Sequence, residues 1–489
     1  MQMGEYLWSI AEFSIKSGGR GTMMNKTTVE RDASGIAKFI TEYKTGEQRR
    51  QEGKTLRENV PRESHAGFEI ASNRIDPVKV IKKSSEGRLQ HLIPIRYGRM
   101  SKSAFAFYRG TASLMAMDLA QTPTSNLRVQ ACGDCHLSNF GLFATPERNL
   151  IFDINDFDET LPAPFEWDIK RLAASFYIAS LDNRFSDKDC KTIATASVRA
   201  YREAIATFST MSVLDVWYSK YDIDTLLKTA PDAEAKRNRE RIAKEARANV
   251  ADNVFPKITK ILNEKPRIVD QLPLVYHPPP EEKVPEGMLG AFQNYRETLP
   301  YERRVLLDRY HLEDIAYKVV GVGSVGTRCG VLLLMAEVDD PLLLQIKEAR
   351  SSVLAPYAGK SKFAHQGERI VVGQRLMQSA SDLLLGWTTG KDKIHYYMRQ
   401  LRDMKFSLDI SIMKPIQLSR YAEVCGWTLA RAHARSGDAS MIYGYMGKSD
   451  TFDRAIGNFA RLYADQAKKD YEIFLNAIKS GEIKAEKEK

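Results

Sequence analysis

Apolar positions change their period several times along this chain, and each change predicts an element. From Asp168 to Arg184, and again from Asp187 to Met211, they recur at helical spacing, which predicts two long helices. GTASLMAMDLAQ, residues 110–121, predicts a helix with small residues for close packing. Leu150-Ile151-Phe152 with Ile154 has strand character. Further on, the runs Tyr317–Val320, Val331–Met335 and Leu342–Ile346 predict three successive strands, the first two separated by glycines. Val372–Leu385 and Arg420–Arg435 read as helices, Ile394–Lys405 as a strand and 288–312 as helical. Charges at helical spacing over Asp232–Asn253 predict a solvated surface helix. The Pro-rich run 270–287 predicts a linker or edge loop. Residues 1–50 are polar, a lead-in with one helix near Ser34–Tyr43. The expected division is this lead-in, a helical lobe over 51–311, a β-rich lobe over 312–410 and C-terminal helices over 411–489 that pack on the helical lobe.

A chain of 489 residues buries a large core and fits two lobes. Its 43% hydrophobic and 27% charged content are ordinary for a globular protein. The net charge of +10 is spread among 62 acidic residues, without a basic arm or an aromatic-interleaved basic stripe. That argues against nucleic acid and for an anionic ligand. The first residues, MQMGEYLWSIAEF, carry Glu5 and Glu12 within their apolar stretch, which does not read as a signal peptide. No window reaches the length of a membrane span, and five cysteines without a paired framework fit a reducing cytoplasm. Cys132 and Cys135 form a CxxC inside a tight loop, where small-residue filling is the expected role.

Candidate chemistry concentrates between Val129 and Ser175. Asp134, His136, Asn139, Asp153, Asp156, Asp158, Glu159, Glu166 and Asp168 are interleaved there with Phe, Ile and Trp. A solvated acidic face is not patterned in this way. Carboxylates held close together repel unless a cation or proton sits between them. An oxygen-only ligand set suits magnesium and not zinc. Upstream, Arg96, Arg99 and Arg109 sit among aromatics, and their forks match either carboxylates or phosphate oxygens, with Arg109 the best candidate.

A second cluster begins at Asp314. Gly321, Gly323 and Gly326 form GxGxxG around Ser324, after one strand-like run and before another, and the third run ends at Lys347. A dinucleotide-binding reading needs a helix directly after the glycines, and a strand-like run follows instead. Strand, glycine turn, strand, strand, lysine is the order of a kinase phosphate-clamping loop and its α/β-phosphate lysine. Glu368 is then the candidate acidic partner of the lysine, with Glu348 as fallback, and His395 reads as structural.

GDCHLSN resembles the GDxHxxN loop of aminoglycoside phosphotransferases, and FDINDFDET resembles their metal-binding strand and turn. LARAHARSG is similar to the helix that leads into their catalytic loop, and Asp168 matches the Asp that opens their next helix. More closely, the chain from about Thr55 onward resembles the bacterial family catalogued as domain of unknown function 2252. PIRYGRMSKSAFAFYRG, CGDCHLSNFG, FDINDFDET, PFEWDIKRLAAS, VVGVGSVGTRC, LQIKEARSSVL, GQRLMQSASD and LARAHARSGD carry that resemblance. The phosphotransferase resemblance implies an α+β, protein kinase-like fold of two lobes. It implies ATP and magnesium, with Asp134 acting on the acceptor hydroxyl of a small molecule or protein. Asn139 and Asp156 would hold the metal; Lys347, the glycine segment, Glu368 and Arg109 would serve the nucleotide. In ordinary kinases the lysine precedes the catalytic Asp, whereas here Asp134 comes first. A circular permutation restores the order, with 312–440 moved behind 129–175; the alternative is a coincidental glycine segment. Two other functions stay open: a metal-dependent phosphoesterase, and a non-catalytic nucleotide-binding or scaffold protein.

Overall fold

The strands flanking the glycine segment join one antiparallel sheet. The computed structural model describes residues 44–486, apart from 229, 231, 250, 264, 278–283, 320, 338–339, 391–392, 402–403 and 405. The expected helix at Ser34–Tyr43 lies outside these residues. In spatial order the sheet runs Gly386–Thr389, His395–Gln400, Pro341–Glu348, Cys329–Met335, His311–Lys318 and Val275–Tyr276, each neighbour antiparallel. The register sets Cys329 opposite Lys347, and Lys347 opposite Tyr397. Strand Cys329–Met335 is buried throughout, which is why it reads as a continuous apolar run. Its side chains alternate: Leu332 and Leu334 pack with Tyr295 and Leu344 on one face, Val331 and Leu333 with Ile268 and Leu343 on the other.

The remainder is mostly helical. Helix Phe165–Asp182 is buried from Phe165 to Ser180 and packs against Asp187–Phe208 and Thr451–Lys479. Helix Pro415–Ser436 lies along Asp187–Phe208. Beside them are a small antiparallel pair, Arg128–Ala131 with Leu161–Pro164, and a three-stranded antiparallel sheet with Leu150–Ile154 between Phe140–Ala144 and Tyr221–Asp222. The fold is therefore mixed α+β with antiparallel sheets. No helix among the described residues is long and apolar enough to cross a membrane.

Several predicted boundaries shift, each for a local reason. The helical stretch 288–312 divides into Val284–Arg296 and Tyr301–Leu307, interrupted at Pro300, and His311 already begins a strand. The Pro-rich run contains the edge strand Val275–Tyr276 and the first residues of the Val284 helix. The helix placed at Val372–Leu385 is instead Gln366–Met377. Its cap is the ring of His365, which accepts from Glu368 N at 3.2 Å, a residue type the usual start signal does not include. The strand at Ile394–Lys405 shortens to His395–Gln400. The charged stretch from Asp232 forms two helices, Ala233–Arg247 and Ala251–Ile258.

Candidate functional site

The Asp134 loop is fixed from beneath by buried polar groups. Asp168 accepts the backbone N–H groups of Cys132 at 2.6 Å and Gly133 at 2.9 Å. His433 Nε2 lies 3.2 Å from the same carboxylate, and its Nδ1 is 2.9 Å from the Tyr201 hydroxyl. Gly133 has φ +82°, and a Cβ there would sit 2.3 Å from Glu159 O, so the loop needs glycine on both counts. Asn139 Nδ2 donates to the Asp134 carbonyl at 2.7 Å, which leaves its amide oxygen available as an acceptor or metal ligand. The end of helix Pro415–Ser436 meets the strand that enters this loop. Ser436 Oγ accepts from Gln130 N at 3.1 Å, and a Cβ on Gly437 would fall 2.7 Å from Val129 Cγ1.

A cavity of about 500 Å³ lies between this loop and the large sheet. Asp134, Asn139, Asp156, Asp158 and Glu159 line it from one side; Lys347, Gln345 and Arg399 reach it from the strands. Lys347 Nζ is 3.6 Å from Asp156 Oδ2 and makes a closer ion pair with Asp158. Burial alone would lower the Lys347 pKa, but Asp156 and Asp158 outweigh it and push the amine well above its ordinary value. Asp158 also accepts from Tyr397 Oη at 2.7 Å and from Ser324 Oγ at 3.1 Å. The glycine segment forms a short turn at Val322–Ser324 between its two antiparallel strands. A Cβ on Gly323 would be 3.9 Å from Asp134 Oδ2 and 3.6 Å from Arg109 O, so this turn lies over the Asp134 loop.

Asp134 itself is paired. Arg171 Nε donates to its Oδ1 at 2.7 Å, and Nη2 makes a second bond to the same oxygen. Burial raises the Asp134 carboxyl more than Arg171 lowers it. Burial, with Arg109 and Arg171 nearby, holds His136 neutral, 3.8 Å from Asp134 Oδ2. All five cysteines are buried and free. Burial pushes Cys135 well above its ordinary value, so the CxxC presents no thiolate.

The family described as "Uncharacterized protein conserved in bacteria (DUF2252)" matches residues 88–477, most of the chain and every cavity residue named above. The chain belongs to that family. No curated protein and no solved structure matches it.

In this DUF2252 member the acidic residues singled out in the sequence, with Asn139, divide into two groups. Asp134, Asn139, Asp156, Asp158 and Glu159 face the cavity. Asp153, Glu166 and Asp168 hold the fold: Asp153 pairs with Arg431 at 2.6 Å and Glu166 accepts from Ser125 N at 2.8 Å. Arg109 and Gly321, Gly323 and Ser324 line the cavity, while Gly326 turns the chain at φ +86° beside Arg88. Glu368 is not brought to Lys347. It occupies the first turn of helix Gln366–Met377, and the lysine takes Asp156 and Asp158 as partners instead. Glu348 turns to Arg328 at 3.2 Å. His395 accepts from Gln366 N and stacks on His365, a structural role. Arg171, Tyr397 and Arg399 were not singled out in the sequence. Arg171 is a charge within a helical pattern, and only the burial of that entire helix directs it inward.

Among the described residues no three or more His, Cys, Asp or Glu side chains are grouped to hold a metal. Asn139 and Asp156 offer one amide and one carboxylate oxygen to the cavity. That sparse, hard set fits magnesium, which keeps several waters and binds through one or two carboxylates plus phosphate oxygens.

Proposed function

We propose that this chain is a magnesium-dependent, ATP-using phosphotransferase with a kinase-like, two-lobed and circularly permuted fold, acting on a small-molecule or protein hydroxyl. The observation that carries the reading is the ion pairing of Lys347 with Asp156 and Asp158 in a cavity roofed by the glycine segment. A lysine from a sheet strand and an acidic turn, far apart in sequence, are the two parts that a kinase brings to the phosphates. The contact of Ser436 and Gly437 with the strand entering Gly133 supports the permutation, because an unpermuted chain would continue there.

In this reading Lys347 and the turn at Gly321, Gly323, Ser324 and Gly326 hold the nucleotide phosphates. Asn139 and Asp156 hold magnesium, which when bound supplies charge neutralisation at the phosphate oxygens. Asp134 receives the acceptor hydroxyl's proton as the new P–O bond forms and ADP departs. Its raised carboxyl pKa suits that role, and Arg171 fixes its orientation. Positioning and charge supply most of the catalysis. The phosphoesterase alternative needs several clustered metal ligands, and the described residues lend it no such cluster.

Thermal denaturation with and without ATP and magnesium tests the reading. ATP at about a hundredfold excess over its Kd should stabilise the protein by about 2.7 kcal/mol. Lys347→Ala should remove most of that gain. Asp134→Asn should bind ATP normally and transfer no label from [γ-32P]ATP. A wild-type melting curve indifferent to millimolar ATP and magnesium rejects the proposal.

A further inference from the structure

One wall of the cavity, supplied by residues 84–113, is cationic. Arg96 is 1% exposed. Its Nη1 donates to Ser85 Oγ at 2.8 Å, and its Nη2 to Gly110 O at 2.9 Å and Ser84 Oγ at 3.2 Å. Its Nε is buried with no partner, and so is Nε of Arg109. Arg88 donates to the backbone carbonyls of Ser84 at 3.0 Å and Val325 at 2.6 Å. None of the three has a carboxylate partner among the described residues.

Several buried arginines are matched by acids: Arg74 with Asp118 and Asp470, Arg171 with Asp134, Arg202 with Asp453, Arg431 with Asp153. Arg399, on the opposite wall, and Arg435, outside the cavity, donate to neutral oxygens instead. Arg369 lacks a carboxylate too, but all three of its nitrogens are satisfied by oxygens, and it does not line the cavity. A buried cation without a counter-charge is expensive to keep. Each is further disfavoured by burial, and Arg88 opposes Arg96. Burial, then Arg350, pushes Arg88 down to about 10; burial and then Arg88 lower Arg96; burial lowers Arg109 despite Asp134 and Asp156. Six basic residues against four acidic ones line the cavity, so the deficit is of negative charge.

We infer that Arg88, Arg96 and Arg109 form a second anion subsite, which takes a phosphate or carboxylate group of the acceptor substrate. The assignment to the acceptor rests on the phosphotransferase reading. Arg109 belongs beside Asp134, the residue that serves the acceptor, and Gly323 packs against both. The nucleotide's own counter-charges are Lys347 and the metal. Arg109, expected from the sequence to touch the nucleotide, is thereby moved to the acceptor. Arg forks accept either oxyanion in bidentate geometry.

The test uses the full chain and two probes, inorganic phosphate and succinate, titrated by calorimetry with and without saturating Mg·ADP. At least one probe should bind the wild type alone, bind it still in the presence of Mg·ADP, and bind Lys347→Ala. Phosphate binding alone assigns a phosphorylated acceptor, succinate binding alone a carboxylated one. Arg109→Gln should weaken that probe about tenfold or more, the scale of one hydrogen bond to a charged group, and Arg109→Lys should recover part of the loss. Arg109 is chosen because Arg96→Gln, at a fully buried site, risks failing to fold. Failure of both probes to bind overturns the subsite. Full competition between phosphate and Mg·ADP also overturns it, by assigning the arginines to the nucleotide. Phosphate binding that depends on Arg109, in a protein indifferent to Mg·ADP, keeps the subsite and rejects the nucleotide reading.

Discussion

Glu159 borders the cavity with its carboxyl pushed up to about 7, chiefly by burial and against the N–H of Val353, which it accepts at 2.7 Å. The folded state therefore holds this proton more tightly than the unfolded chain. Its contribution to stability is complete below the unfolded value and is lost as pH rises toward 7. The loss amounts to at most about 1.4 kcal/mol per pH unit in that window. Glu159→Gln keeps the acceptor for Val353 and should flatten this part of the stability curve, measured by urea denaturation between pH 5 and 8; an unchanged slope refutes it. Asp168 has every hydrogen-bond partner buried. Asp168→Ala leaves two loop N–H groups and His433 without their acceptor, and should cost about 3 kcal/mol or more. Urea midpoints check this, and a loss under about 1 kcal/mol would contradict the role. The sequence located these acids but could not sort them. Asp153 and Asp156 sit three positions apart in one acidic stretch, yet one meets Arg431 and the other meets Lys347, and both partners are distant in sequence.

At the scale of elements, the glycine segment separates backbone need from space. Gly326, with φ +86° and a Cβ that would lie 3.1 Å from Arg88 Cβ, does not admit a side chain without strain. Gly326→Ala should cost about 1–2 kcal/mol. At Gly323 a Cβ would meet nothing closer than 3.6 Å, so Gly323→Ala should alter stability by less than about 0.5 kcal/mol. Its methyl would nonetheless project between Arg109 and Asp134 and weaken ligand binding there. Melting curves and ATP titrations on the two variants distinguish these outcomes; equal destabilisation would mean the turn is misread. This element was legible because glycine spacing, continuous apolar strands and a terminal lysine are all local signals. The helix at Gln366–Met377 was displaced because a histidine ring caps it. The edge strand Val275–Tyr276 was hidden in a Pro-rich run, since pairing with Lys318 and Tyr317, and not its own pattern, makes it a strand.

Over the whole molecule, the residues that complete the early segment arrive late. Arg431 neutralises Asp153, His433 meets Asp168, and Ser436 caps the strand before Gly133. A fragment ending near residue 311 should therefore lack a cooperative unfolding transition, despite its many helices. Calorimetry would show a broad or absent peak, and a sharp one would establish an independently folding lobe. The mixed α+β composition was visible in the sequence as helical spacing in some stretches and short apolar runs in others, but the contacts between distant segments were not, because ion pairs leave no periodicity. The pairing of Lys347 with Asp156 and Asp158 has a further consequence in time. About 190 residues separate the partners, and at 5–20 residues per second the ribosome delivers the lysine roughly 10–40 s after the acids. Through that interval the nascent chain carries a cluster of uncompensated carboxylates. Pauses or early termination between the two should yield polypeptides that chaperones and proteases recognise, and the ion pair comes into being only after Lys347 has been made.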